Sequence, residues 1–253
     1  MKKLLTQAAV LLFVACAGFA GPSLNGYSGA GVLPDTEIAE TGRLELALDY
    51  YLNSGNTRKN TFPVRVNMGL AEGLEAGIGY TFQKSGELDH NAFNLNAKYA
   101  MNADRGLVTA AIGGKYSNIS NLATVTNAFL AADFDIDKYI SHSNEGNITL
   151  TLGTSWTDID PKRSGDGRRG FRYYGAVKFE DGPLTLGAQY QTRLRALENK
   201  ALYALHAGYD LGARFNNVTA EAGFTNAGLT MLDGTGSGRL YLGLGLSFSP
   251  RQF

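Results

Sequence analysis

The sequence has almost no cysteine and no surplus of charge of either sign. Its one cysteine, Cys16, lies in a segment that we expect to be removed, which leaves no thiol, no disulfide and no cysteine-based metal site. The 23 acidic and 23 basic side chains balance. This balance argues against nucleic acid as the main partner, because phosphate binding needs a basic surplus. The 253 residues suffice for one β-barrel or two smaller domains.

Long apolar runs are also missing from the chain after its N-terminus. No segment there has the roughly 18 apolar residues that a membrane-spanning helix needs. The N-terminus itself has a basic start at Met1–Lys3, an apolar stretch from Leu4 to Val14 and small residues at Gly18–Ala20. This arrangement predicts a cleaved signal peptide over residues 1–20, and therefore export. Because Phe13-Val14-Ala15-Cys16 resembles a lipoprotein box, lipidation of Cys16 is the alternative to its removal.

Proline is rare and glycine is abundant, with 6 and 32 residues respectively. Many tight turns joining β-strands are typical of such a composition. Residues 21–43 hold several glycines and a Pro34-Asp35 step without a clean alternation of polar and apolar residues. We expect an N-terminal lead-in here, inside or beneath the structure that follows.

The stretch from Arg239 to Phe248 alternates strictly between apolar and small or polar residues. The apolar positions are Leu240, Leu242, Leu244, Leu246 and Phe248. A period of two indicates a β-strand with two different faces. Eleven further segments share it, beginning near residues 44, 62, 74, 93, 108, 128, 148, 171, 184, 203 and 218. The segment near 108 is weaker, and near 128 a helix is not excluded.

These segments predict an all-β fold, a single antiparallel transmembrane β-barrel of about twelve strands over residues 44–253. Each has about the length that a tilted strand needs to cross a bilayer. The connections after odd strands are the longer ones, at 52–61, 83–92, 117–127, 157–170, 191–202 and 225–239. Most of those after even strands are tight turns, although 136–147 and 210–217 are long. Long loops on one rim and short turns on the other are typical of outer-membrane barrels.

Alternation alone fits either a soluble barrel with an apolar core or a membrane barrel with an apolar outer face. Two observations favour lipid. No charge interrupts the apolar face of any predicted strand, and aromatic residues on that face gather near strand ends, as at membrane interfaces. The polar face then lines the lumen, with candidates Glu45, Asp49, Arg65, Glu75, Lys98, Lys115, Asp133, Asp135, Arg172, Tyr174, Lys178, Gln189, His206, Glu221, Arg239 and Tyr241.

Two resemblances add to this interpretation. Leu240 to Phe248 resembles the terminal β-signal of bacterial outer-membrane proteins, which the barrel-assembly machinery reads; Phe253, at the end of the chain, is the other candidate for its aromatic residue. The lead-in from Asn25 to Asp35, running on to Gly42–Leu46, resembles YjbH-type outer-membrane proteins. That resemblance implies a role in exopolysaccharide or capsule export.

Motifs for catalysis are few. The only histidines are His90, His142 and His206, and no Gly-x-Ser-x-Gly nucleophile motif is present. Gly234–Gly238 lacks the lysine of a phosphate-binding loop, so we interpret it as a hairpin loop. A basic cluster in the predicted outer loop can pair with lipopolysaccharide phosphates or an acidic glycan, or can simply be solvated. Its members are Lys162, Arg163, Arg168 and Arg169.

The sequence therefore predicts a non-enzymatic barrel of the cell outer membrane, without cofactor or metal, for envelope polysaccharide export or small-solute passage. Its expected partners are outer-membrane lipids, lipopolysaccharide, the barrel-assembly machinery and a glycan or small solute. One alternative is a lipid or lipopolysaccharide hydrolase. The other is a structural or adhesive barrel that binds through its outer loops.

Overall fold

The computed structural model describes residues 32–52, 59–85, 88–101, 108–136, 146–162, 167–194, 200–211, 218–227 and 234–248. The predicted signal peptide, Cys16, His142, Arg163 and Phe253 lie outside these ranges. No helix within them is long and apolar enough to span a membrane. The strands in these ranges are β1 Leu44–Leu52, β2 Lys59–Ala71, β3 Leu74–Ser85, β4 Leu88–Met101, β5 Val108–Ile119, β6 Ala123–Asp135, β7 Asn147–Pro161, β8 Arg168–Asp181, β9 Leu184–Gln191, β10 Leu202–Asp210, β11 Val218–Ala227 and β12 Gly234–Phe248.

The sheet closes on itself as an antiparallel barrel in which each strand pairs with its neighbours in the chain. Closure is made by β1 and β12, whose register runs from Leu44 opposite Phe248 to Leu52 opposite Leu240. A sheet in lipid must close in this way, because an open edge would leave backbone groups without partners. The predicted twelve-stranded barrel is confirmed, and the segment near residue 128 is strand and not helix.

At the rim opposite the short turns, the strands are longer than the alternation of apolar and polar residues predicts. The predicted loop 117–127 is wrong: β5 and β6 are joined by a turn at Ser120–Leu122, with Asn121 at a φ of 59°. Ile119 and Val125 pack inside the barrel there, with Ala92 and Ile159. Beyond the bilayer the outer face no longer needs to be apolar, so the backbone pairing extends where the apolar period has ended.

The two faces of the wall differ in the way that a bilayer requires. Mid-strand apolar side chains on the outer face are exposed, as at Ile112 (53%), Leu130 (49%) and Leu205 (56%). Ionisable side chains in the middle of the strands point inward and are buried, as at Glu75 and Lys98. A soluble barrel would bury the apolar face and expose the charged one. This barrel therefore presents its apolar face to lipid, including the leucines of β12.

Candidate functional site

The candidate site is the barrel interior, where the predicted lumen residues come together. Fourteen of the sixteen side chains are buried, while Asp135 and Lys178 are half-buried. The buried ones are Glu45, Asp49, Arg65, Glu75, Lys98, Lys115, Asp133, Arg172, Tyr174, Gln189, His206, Glu221, Arg239 and Tyr241. Charges in such a place require partners, since burying an unpaired charge is costly. Many of these partners come from the lead-in.

The part of the lead-in from Val32 to Ala39 lies inside the barrel and crosses the lumen. The N–H groups of Val32 and Leu33 both donate to Gln189 Oε1, at 2.6 and 2.9 Å. Thr36 donates its N–H and its hydroxyl to Asp133 Oδ2, at 3.0 and 2.8 Å. Side chains of β9 and β6 thus replace the hydrogen bonds that strand pairing would supply, because a buried N–H needs an acceptor.

The end of the lead-in is anchored near the short-turn rim, which we define by the turns Glu72–Gly73 and Gly182–Pro183. The Ala39 N–H donates to Glu75 Oε2 at 2.9 Å. Gly42 donates its N–H to the Gly69 carbonyl at 2.7 Å, and the chain then enters β1. No side chain fits at Gly69, because the backbone of residues 39 and 40 occupies the space of a Cβ.

Ion pairs fix the lead-in from two sides of the barrel. Lys98 Nζ lies 3.5 Å from Asp35 Oδ1 in the lead-in and 3.5 Å from Glu75 Oε1 in the wall. On β8, Lys178 pairs with Glu37, and its Nζ lies 3.4 Å from Glu180 Oε2. Burial raises the pKa of the Asp35 carboxyl to about 7, although Lys98 opposes the shift. The lead-in therefore carries its own charges into the lumen and has them matched there.

Above the lead-in, aromatic and arginine side chains extend into the interior. Arg239 donates to Thr61 Oγ1 at 3.1 Å and to the Ala227 carbonyl at 2.7 Å, and its guanidinium lies 5.0 Å from the centre of the Tyr51 ring. Tyr51 in turn lies 5.7 Å from Tyr241, measured between ring centres. Arg65 and Asp49 form a separate ion pair on β2 and β1. These side chains narrow the lumen at this height.

Glycines on the inner face make room for the rings. A Cβ at Gly153 would collide with the Tyr174 ring, one at Gly223 with the Tyr241 ring, and one at Gly113 with the Phe129 ring. Tyr174 and Phe129 belong to the same buried cluster as Val32 and Leu33 of the lead-in. The rings lie over neighbouring strands and therefore reduce the free cross-section of the lumen.

Sequence reasoning missed the lead-in as a set of site residues, and it missed Phe129 on the inner face. Val32 to Glu37 has no period, and its partners are up to 157 residues away in the chain. The only available signal was the polar stretch Asp35-Thr36-Glu37 between Pro34 and Ile38. Phe129 falls in a segment whose alternation was weak, because both of its faces hold an aromatic residue.

Two of the four residues of the predicted basic cluster lie in a strand and not in a loop. Arg168 and Arg169 lie in β8, opposite Ile159 and Asp158 of β7, because the ladder continues beyond the bilayer. Lys162 follows β7 directly, and its Nζ donates to Asn118 Oδ1 at 2.5 Å and to the Ile119 carbonyl at 3.0 Å. Lys162 thus ties β7 to the neighbouring hairpin.

Histidine and metal chemistry find little support in the interior. His206 is buried, and neither of its ring nitrogens has a hydrogen-bond partner among the described residues. The position of His90 lies in β4, but its side chain is outside the described part of the molecule. In the described ranges no three His, Cys, Asp or Glu side chains are grouped so as to hold a metal ion.

Comparison with known proteins identifies the fold. No protein-family model matches the chain, and no curated protein matches it. The structure is similar to that of the KdgM porin, with a TM-score of 0.54 and a sequence identity of 11%. It is also similar to a KdgM porin in complex with disordered oligogalacturonate, with a TM-score of 0.55 and an identity of 10%. The NanC porin gives 0.53 at 16%. Each match covers 81% of this chain and 99% of that structure. With its lipid-facing outer belt, the chain is therefore a membrane β-barrel of porin-like fold.

Proposed function

We propose that this barrel passes small hydrophilic solutes across the outer membrane, through a lumen that its own lead-in narrows. The proposal rests on the inner wall of the closed barrel, where ionisable and hydrogen-bonding side chains come from strands all around the lumen. Such side chains replace the water that a polar solute loses on entering. The porin-like fold supports this proposal. We further propose that the signal peptide over 1–20 directs export and that Leu240–Phe248 serves in assembly.

The lead-in is the element that would limit passage. The lumen anchors of Val32 to Ala39 are side chains: Gln189, Asp133, Glu75 and the two lysines. A segment held by side-chain acceptors can leave without breaking the barrel's backbone ladder. We therefore expect two conductance levels, a low one with the lead-in docked and a high one with it released.

Planar bilayer recording tests the proposal. The full-length exported protein, purified as a folded barrel, is expected to give discrete current steps in potassium chloride, with transitions to a larger level. The matched comparison is the same preparation after boiling, which removes the folded barrel but keeps the chain and the detergent. A folded preparation that stays silent at every applied voltage, also after the lead-in anchors are removed, would refute solute passage.

Envelope polysaccharide handling is the finer form of the proposal. It is supported by the resemblance of the lead-in to YjbH-type proteins, which stays a prediction. The oligogalacturonate complex of a KdgM porin is a further reason to test acidic sugars. An oligogalacturonate added to one side of the bilayer is expected to interrupt the current, while a neutral maltooligosaccharide of equal length is not. Equal effects of the two sugars would count against recognition of an acidic glycan.

The remaining alternatives receive less support. A hydrolase would pair a histidine with a nucleophile, and His206 has no such partner among the described residues. An adhesive barrel would present binding groups above the membrane. In that region Arg168 and Arg169 are exposed. They can bind lipopolysaccharide phosphates, but the proposed function does not require this contact.

A further inference from the structure

A cavity of about 300 Å³ opens at the short-turn rim, between the lead-in and the wall from β8 to β11. Its polar lining includes Glu37, Glu180, His206, Asp210, Thr219 and Glu221. Pockets that bind small molecules measure roughly 300–1,000 Å³, so this one has room for a small solute only. The aromatic packing described above lies further into the barrel.

The charge of the cavity is predominantly negative. Four of its lining residues are acidic, and no lysine or arginine lines it. Lys178 pairs with Glu37 and lies near Glu180. Glu221, although buried, forms no ion pair with any described residue. A buried carboxylate without a cation is costly, and a bound cation would remove that cost.

Two further buried groups at the cavity lack partners. His206 is 6% exposed and Thr219 is 5% exposed. Within the described part of the chain, neither ring nitrogen of His206 nor the hydroxyl of Thr219 has a hydrogen-bond partner. His206 and Glu221 lie on adjacent strands, opposite Gly223 and Gly208 respectively. Buried polar groups are normally satisfied, so two such groups beside Glu221 in one cavity point to a ligand.

We propose that this cavity binds a small organic cation through a primary ammonium group. An ammonium has three donors and no acceptor. It therefore matches three acceptors in this wall: the Glu221 carboxylate, the Thr219 hydroxyl oxygen and the unprotonated nitrogen of His206. A bare metal ion fits less well, since in the described ranges no three ligating side chains are grouped for one. The lead-in borders the site through Glu37, which pairs with Lys178.

The site lies in the lumen of the proposed passage, but its occupancy does not require conduction. Binding can be measured at equilibrium, and conduction separately in bilayers. A barrel that binds the cation without conducting would overturn the proposed function and keep this inference. A barrel that conducts without binding it would do the reverse.

Equilibrium dialysis tests the inference with folded full-length protein in a non-ionic detergent. Putrescine is the cationic probe, and 1,4-butanediol is its neutral counterpart with the same carbon chain. We expect saturable binding of putrescine and none of the diol at the same concentration. Glu221→Gln is expected to weaken putrescine binding at least about tenfold, as is expected when a charged hydrogen-bond partner is lost. His206→Ala should weaken it as well.

The control variant is Glu72→Gln, which removes a carboxylate from an exposed turn on the same rim but outside the cavity. Its affinity for putrescine should equal that of the unchanged protein. Each variant is first checked for the gel mobility shift between unboiled and boiled samples, so that a misfolded barrel is recognised. Equal binding of diol and diamine, no binding of putrescine, or unchanged affinity in both folded cavity variants would overturn the inference.

Discussion

Replacing Asp133 and Gln189 together by alanine will increase the time that the barrel spends in its high-conductance state. These two side chains accept four hydrogen bonds from the lead-in, at Val32, Leu33 and twice at Thr36. At about 1 kcal/mol for each bond, the docked lead-in loses about 4 kcal/mol, which shifts the docked-to-released ratio about a thousandfold. The measurement is the open probability of single channels in a planar bilayer.

Gln191→Ala provides the matched control for this result. Gln191 lies two residues from Gln189 on the same strand and faces the same interior. Its amide donates to Ser155 Oγ at 3.2 Å, and its oxygen accepts from Arg172 at 3.4 Å, so its contacts are with the wall. Its loss should leave the open probability near that of the unchanged protein. Equal open probabilities in all three proteins would show that the lead-in does not limit the current.

Placing a charge in the outer belt will destabilise the barrel according to its depth in the bilayer. Leu130 and Leu122 are both leucines on the outer surface, 49% and 44% exposed, but Leu130 lies in the middle of β6 and Leu122 in the turn at the rim. We expect Leu130→Arg to lower the free energy of unfolding by about 2–4 kcal/mol and Leu122→Arg by about 0–1 kcal/mol. An arginine at the middle position would have to enter hydrocarbon.

Chemical unfolding of the barrel in phosphatidylcholine vesicles measures this difference. The control is the inward-facing Thr151→Ser on β7, which keeps the hydroxyl in a buried position and introduces no charge. A soluble barrel with solvent around its outer face would tolerate both arginines alike. Equal and small losses at Leu130 and Leu122 would therefore contradict the lipid-facing orientation.

The sequence predicted the wall well because the bilayer imposes a period on it. In the pairing of β1 with β12, leucines face lipid at every second residue, and this pattern is visible without any tertiary information. The ends of strands were predicted less well. Around Asn121 and Arg168 the ladder lies beyond the hydrocarbon, where polar residues on both faces are compatible with a strand.

The interior was predictable only as a list of inward-facing residues. Which of them meet is decided by the lead-in, whose partners are distant in sequence, as for Thr36 and Asp133. Local sequence propensity does not predict such a contact, because the N–H groups of an aperiodic segment can donate to any acceptors that the inner wall offers. Similarly, the unpaired state of His206 follows from the glycines opposite it, Gly187 and Gly223, and not from its own segment.

A reversible crosslink tests most directly whether the lead-in limits passage through the barrel. Thr36→Cys combined with Asp133→Cys places two thiols where the Thr36 hydroxyl now donates to Asp133 at 2.8 Å. Oxidation would tether the lead-in to β6, and reduction would release that tether in a protein that also lacks the Asp133 anchor. We predict a low conductance in the oxidised protein that rises on addition of dithiothreitol in the same bilayer. An unchanged conductance on reduction of a verified crosslink would contradict the claim.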